Sequence, residues 1–174
     1  MFIFASFIQG LTGFAYGLIA VPLFALVFGA REAVGMVAIT GSFIVLYSFI
    51  LHRRKVEFGK VISLGLISIL FIPLGALFLV SLPEGIIMTV LGAVIILITV
   101  YSALFTEKSR TLMSARGAGF TAALVSGLLG GAFTSPGPAM VVYLYTLEDS
   151  RFQAKANVQF YFVIVSIAII IIHL

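Results

Sequence analysis

Two stretches of this chain combine residue types that can bind an anion without any charged side chain. The first runs Gly10-Leu11-Thr12-Gly13-Phe14-Ala15-Tyr16-Gly17 and then Pro22. The second runs Gly127-Leu128-Leu129-Gly130-Gly131, then Thr134-Ser135-Pro136-Gly137-Pro138. Proline removes a backbone donor and clashes with the preceding turn, and glycine weakens a helix, so each stretch predicts a helix broken inside an apolar segment. A helix N-terminus presents unpaired N–H groups and the equivalent of about half a positive charge. Two such ends facing each other would cradle a small anion. The candidate site is therefore the backbone around Gly10, Gly13, Gly17, Pro22, Gly127, Gly130, Gly131 and Pro138, with hydroxyls and amides from Thr12, Thr134, Ser135, Asn157 and Gln159.

Each candidate has a plainer role. Small residues at four-residue spacing let helices pack closely. Thr12 and Ser135 can bond the carbonyl four residues back. Asn157 and Gln159 stand two apart on a helix and point away from each other, so one faces the cavity and the other bonds a neighbouring helix. Gln9 can do either. Tyr16, Tyr143 and Tyr145 read as interfacial anchors. His52 and His173 end corresponding spans and read as interface residues. With no cysteine in the chain and no acid beside a histidine at membrane depth, neither a metal site nor a catalytic serine is expected. No cofactor and no enzymatic activity are expected.

The elements that must position these residues lie in a bilayer. Of 174 residues 62% are hydrophobic and 9% charged, and the mean hydropathy is +1.27, outside the range of soluble domains. The fold class is all-α, a polytopic transmembrane helical bundle. Six apolar segments are read at about 2–29, 33–51, 61–82, 85–105, 117–146 and 154–174. The basic loops 52–60 and 107–116 carry seven of the ten Lys and Arg residues, against Arg31, Arg151 and Lys155 elsewhere. That asymmetry places both loops and both termini in the cytoplasm, unless the first segment is re-entrant. It also explains the basic pI without nucleic acid, which is not expected as a partner; the expected partners are the lipid bilayer and a small anion.

The chain contains an internal repeat. Gln9 to Gly13 aligns with Ser126 to Gly130 at an offset of 117, and Pro22 meets Pro138 after a one-residue gap. Ala33 meets Ala154 and His52 meets His173 at an offset of 121. Four spans separate the two copies, so they are expected to share orientation. Residues 1–116 form the first repeat with four spans, and 117–174 form a second, incomplete one with two, within a single membrane domain. By this symmetry two spans are missing, and the chain is expected to be a fragment of an eight-span protein; a complete six-span protein would leave the repeat unclosed unless a homodimer supplied the missing half. Interrupted segments at matching points of two halves point to a transporter's binding site.

The stretch from Gly10 through Val21-Pro22-Leu23 resembles the opening motif of the TauE/SafE sulfite-exporter family, and Gly127 to Tyr143 resembles the later motif of the same family. Pro73, Gly75 and Pro83 fit its third span and the following turn. The departures are Ala15-Tyr16 and Phe133-Thr134-Ser135, where members often carry further glycine. The resemblance implies a secondary transporter exporting small anions such as sulfite, sulfonates or sulfoacetate across the cytoplasmic membrane. The alternatives are an anion channel using the same helix ends, or a non-transporting subunit of a membrane complex.

Overall fold

The computed structural model describes residues 2–12, 14–104, 117–148 and 150–173, and among them there is no strand. The helices are α1 (Phe2–Thr12), α2 (Tyr16–Phe28), α3 (Ala30–His52), α4 (Phe58–Ser81), α5 (Glu84–Leu104), α6 (Ala118–Phe133), α7 (Gly137–Leu147) and α8 (Arg151–His173). One 3-10 turn at Arg53–Lys55 links α3 to α4. Three of these helices, α3, α4 and α8, are long and apolar enough to cross a membrane. α5, with 21 residues, follows α4 and sends Ile87 and Leu91 into the core cluster that also holds Leu79. Leu26, Phe43, Leu70, Leu97 and Ile171 all point outward. In water such a surface would be unfavourable; against lipid tails it is matched.

The two long glycine-rich segments do not cross. α6 runs beside α4 in the same direction: Leu64 lies against Gly119, Ser68 against Gly127 and Ile72 against Gly131. α7 then doubles back, bringing Tyr143 to Gly119. Glu148, just past α7, pairs with Lys60 at the start of α4 at 2.7 Å. Helices of 16 and 11 residues reach only about 24 and 16 Å, so the segment enters and leaves at the Lys60 end. At the tip, Thr134 takes a left-handed φ of 48°. Its N–H bonds the Gly130 carbonyl at 2.9 Å, its Oγ1 the Phe133 carbonyl at 2.8 Å, and the Ser135 N–H the Leu129 carbonyl at 3.4 Å. The carbonyls that a helix end leaves bare are thereby capped within the tip.

α1 and α2 make the matching hairpin from the other end. The Gln9 Oε1 accepts the Tyr16 N–H at 2.8 Å. An unbroken helix would hold those positions about 10 Å apart along its axis. Ala5 shares a core cluster with Ala20, Val21 and Phe24 of α2 and Leu79 of α4. Arg31, at the start of α3, donates to the Val80 carbonyl at the end of α4 at 2.9 Å.

Four sequence expectations change as a result. The six crossings become three helices long and apolar enough to cross, α3, α4 and α8, with α5 and two re-entrant hairpins beside them. The two broken segments enter from opposite ends, so they are inverted rather than alike in orientation. Arg151 and Lys155 lie with the 52–60 loop rather than opposite it, because α7 returns before α8 begins. The Asn157 Oδ1 accepts the Glu57 N–H at 2.8 Å and Lys55 sits over the Phe152 ring, fixing that neighbourhood. Phe2 and His173 lie towards the opposite end. The second basic loop, 107–116, and Gly13 are outside the described residues.

The α4–α6 seam depends on missing side chains. A methyl group built on Gly75 would run into the Leu128 carbonyl, on Gly127 into that of Ser68, and on Gly131 into that of Ile72. Ser68 Oγ closes the seam at 2.8 Å from the Ala123 carbonyl and 2.7 Å from the Tyr161 hydroxyl of α8. Replacing Gly131 by Val must separate two backbones and is expected to cost about 2 kcal/mol or more. Gly35→Ala meets nothing within 4 Å and should be neutral or stabilising by up to about 1 kcal/mol. Thermal unfolding of the detergent-purified variants checks both. The hairpin topology is checked by single cysteines, since the chain has none of its own. Lys55→Cys and Ser150→Cys should react with an impermeant maleimide from one side and Glu32→Cys from the other; Ser150 labelling together with Glu32 would mean a spanning segment instead.

Candidate functional site

The tips of the two hairpins meet at mid-bundle. A methyl group on Gly17 would lie 2.7 Å from the Thr134 carbonyl oxygen and 3.3 Å from Ser135 Cβ; one on Gly137 would lie 3.2 Å from Phe14. Between them is a cavity of about 50 Å³. Phe14, Tyr16 and Gly17 line it from one tip and Thr134 to Gly137 from the other; Gly41 and Ser42 of α3 and Phe162 and Ser166 of α8 close the sides. That volume holds a few waters or one small ion.

Both helices that start at the tips begin on this cavity. In α2 the first N–H, that of Tyr16, is taken by Gln9. The Gly17 and Leu18 N–H groups follow as those without an intrahelical acceptor. In α7, which is capped by Pro136, the Gly137 and Ala139 N–H groups hold that position, with Pro138 contributing none. Ser135 is 4% exposed and its Oγ has no hydrogen-bond partner. A buried hydroxyl without a partner costs about 1–3 kcal/mol. Ser42 and Ser166 instead bond the carbonyls of Ala38 and Val163 at 2.6 and 3.0 Å. The Tyr16 hydroxyl is 2.7 Å from Thr40 Oγ1, inside the bundle rather than at its interface.

The sequence candidates separate clearly. Gly17, Thr134 and Ser135 line the cavity, and Gly130 abuts Pro136 behind it. Gly127 and Gly131 belong to the α4 seam. Gly10 is exposed on α1, where its carbonyl accepts from Lys155 at 3.4 Å. Pro22 lies inside α2, and Pro138 sits in the first turn of α7. Asn157 is away from the cavity: its amide bonds Glu148 at 3.2 Å while its oxygen holds the Glu57 N–H. Gln159 is fully buried and is not part of the lining. The side chain of Thr12 is outside the described residues. Sequence reasoning missed Phe14, Gly41, Ser42, Phe162 and Ser166, and read Tyr16 as an anchor.

The missing signal was the register. Helix boundaries pair Thr12 with Phe133, Tyr16 with Gly137, Ala30 with Arg151 and His52 with His173, each 121 residues apart. The glycine alignment at 117 is thus displaced by four residues, one helical turn. In the 121 register the cavity lining pairs with itself: Phe14 with Ser135, Tyr16 with Gly137, Gly41 with Phe162 and Val45 with Ser166.

No curated protein and no solved structure matches the chain. The family described as sulfite exporter TauE/SafE matches it over residues 1–174. With that match along its whole length, the chain belongs to the sulfite exporter TauE/SafE family.

Proposed function

We propose that this chain is a secondary transporter that exports small sulfur-containing anions, of the sulfite, sulfonate or sulfoacetate type, across the cytoplasmic membrane. The cavity between the hairpin tips is its anion site. The observation that carries this reading is the buried, unpartnered Ser135 Oγ set between two helix N-termini at mid-bundle. An anion there would take the hydrogen bond that Ser135 lacks, and the N-termini of α2 and α7 would take its charge. No arginine is needed, which avoids an insertion cost of about 2.5–3.5 kcal/mol.

The topology supports transport. α1–α3 and α6–α8 repeat one arrangement of helices at 121-residue spacing and enter from opposite ends, with the site between them. Two tips that enter from opposite ends can each close one side of the cavity, which is what alternating access needs. Arg53, Arg54, Lys55, Lys60, Arg151 and Lys155 gather at one end and Arg31 stands at the other, so the Lys60 end faces the cytoplasm.

Ser135→Ala separates function from folding. Removing an unpaired buried hydroxyl should raise the stability of the anion-free protein by about 1 kcal/mol. It should also lower saturable sulfite flux into proteoliposomes by about tenfold, the worth of one hydrogen bond to a charged group. Unchanged flux with raised stability would remove Ser135 from the site. Gly17→Val, which closes the gap to Thr134, should abolish flux, with stability measured alongside.

A further inference from the structure

We propose that the groove between α1 and α3, away from the cavity, is a binding site for one anionic phospholipid. Its phosphate is held by Lys155 and His52, and an acyl chain lies along the α3 wall. The site goes beyond the export reading and does not depend on it.

The groove measures about 490 Å³. Ser6 and Gly10 of α1, one face of α3 from Phe43 to His52, and Lys155 of α8 line it. Phe43, Tyr47 and Leu51 are 70%, 67% and 63% exposed, so the α3 wall is apolar and open to the bilayer. The α1 wall is made of small residues, and a methyl group on Gly10 would meet nothing within 4 Å. From Phe43 to His52 a helix rises about 14 Å, close to half of a hydrocarbon core of about 30 Å. The groove therefore runs from mid-bundle to headgroup level, the path of one acyl chain.

Its headgroup end is cationic. Lys155 and His52 stand there, and among the described residues that line the groove none is acidic. The Lys155 Nζ lies 3.4 Å from the Gly10 carbonyl, a long contact that engages one of its three N–H donors. That contact places the ammonium at the negative end of α1 and leaves its charge in place. The His52 Nδ1 is 2.8 Å from the Ser48 carbonyl, which can only accept, so Nε2 remains as the second polar atom of the ring. Residues 52–60 and 148–155 together carry six Lys or Arg against three Asp or Glu. Anionic lipids of the leaflet at this end, the cytoplasmic one in the orientation proposed above, are attracted to such a surface. A second protein helix would cover the apolar wall but bring no anion to Lys155 and His52; a phospholipid meets both parts. The neighbour of Gly10 is Gln9, which holds the Tyr16 N–H at the cavity, so a lipid seated here braces the first hairpin.

The test titrates the detergent-purified whole chain with phosphatidylglycerol or with phosphatidylcholine of the same acyl chains, and follows thermal unfolding. Phosphatidylglycerol should raise the unfolding temperature and phosphatidylcholine should not. Lys155→Gln should demand about fivefold more phosphatidylglycerol for the same effect, the worth of one basic residue at a membrane surface, and Lys155→Arg should keep it. Gly10→Leu fills the groove without altering a charge, and should lose the lipid effect while keeping its lipid-free stability. Equal stabilisation by both lipids overturns the proposal. So does a phosphatidylglycerol effect that survives both Lys155→Gln and Gly10→Leu, because the basic end as a whole would then account for it. Matching stabilisation by inorganic phosphate would make the ligand a free anion and overturn the lipid. Cross-linking of Tyr47→Cys between two copies in a membrane would put protein in the groove, with the same consequence.

Discussion

Every backbone N–H and C=O at membrane depth needs a partner, and the two hairpin tips are where this chain comes closest to failing that demand. A helix end leaves four such groups bare, and here four helix ends gather within one small volume. The tip of α6 and α7 meets the demand by capping its own carbonyls with Thr134 and Ser135. The tip of α1 and α2 meets it with Gln9, whose amide oxygen replaces the acceptor that Tyr16 lacks. The N–H groups at the starts of α2 and α7, with Ser135 Oγ, are what the export reading assigns to an anion.

The rest of the bundle holds the tips in register. α6 can reach mid-bundle beside α4 only because Gly75, Gly127 and Gly131 remove the side chains that would keep the two backbones apart. The Lys60–Glu148 pair and Asn157 fix the base of the same hairpin to α4 and α8. Thr134 pays for the turn with a left-handed conformation that costs a non-glycine residue about 1–2 kcal/mol, a strain retained at the point that lines the cavity. On α1, Ser6 and Gly10 occupy the places of Gly127 and Gly131, but there they border an open groove with Tyr47, His52 and Lys155.

How much of this was legible in the sequence depended on whether one residue type had one job. The bilayer location followed from charge spacing, and the breaks from glycine and proline, because each signal had a single physical cause. Glycine did not. On α6 it serves helix packing, Gly127 and Gly131 lying against α4, whereas Gly17 opens α2 against the other tip. Matching glycine to glycine therefore aligned a packing seam with a hairpin tip, one turn out of register. The histidines and span starts gave the correct 121 spacing, since they mark helix ends rather than contacts. Direction was hidden for a related reason. An apolar segment of about 30 residues has the same composition whether it crosses or returns, and it is long-range contacts such as Glu148 with Lys60 and Tyr143 with Gly119 that tell the two apart.

A carrier must release what it binds, and this favours a site built from helix ends over one built from arginine. A guanidinium at membrane depth would bind an anion with a full charge, and its own insertion cost would be recovered only while the anion stayed. In the export reading, helix N-termini and one hydroxyl offer an anion donors that replace part of its hydration, without an ion pair to break on exit.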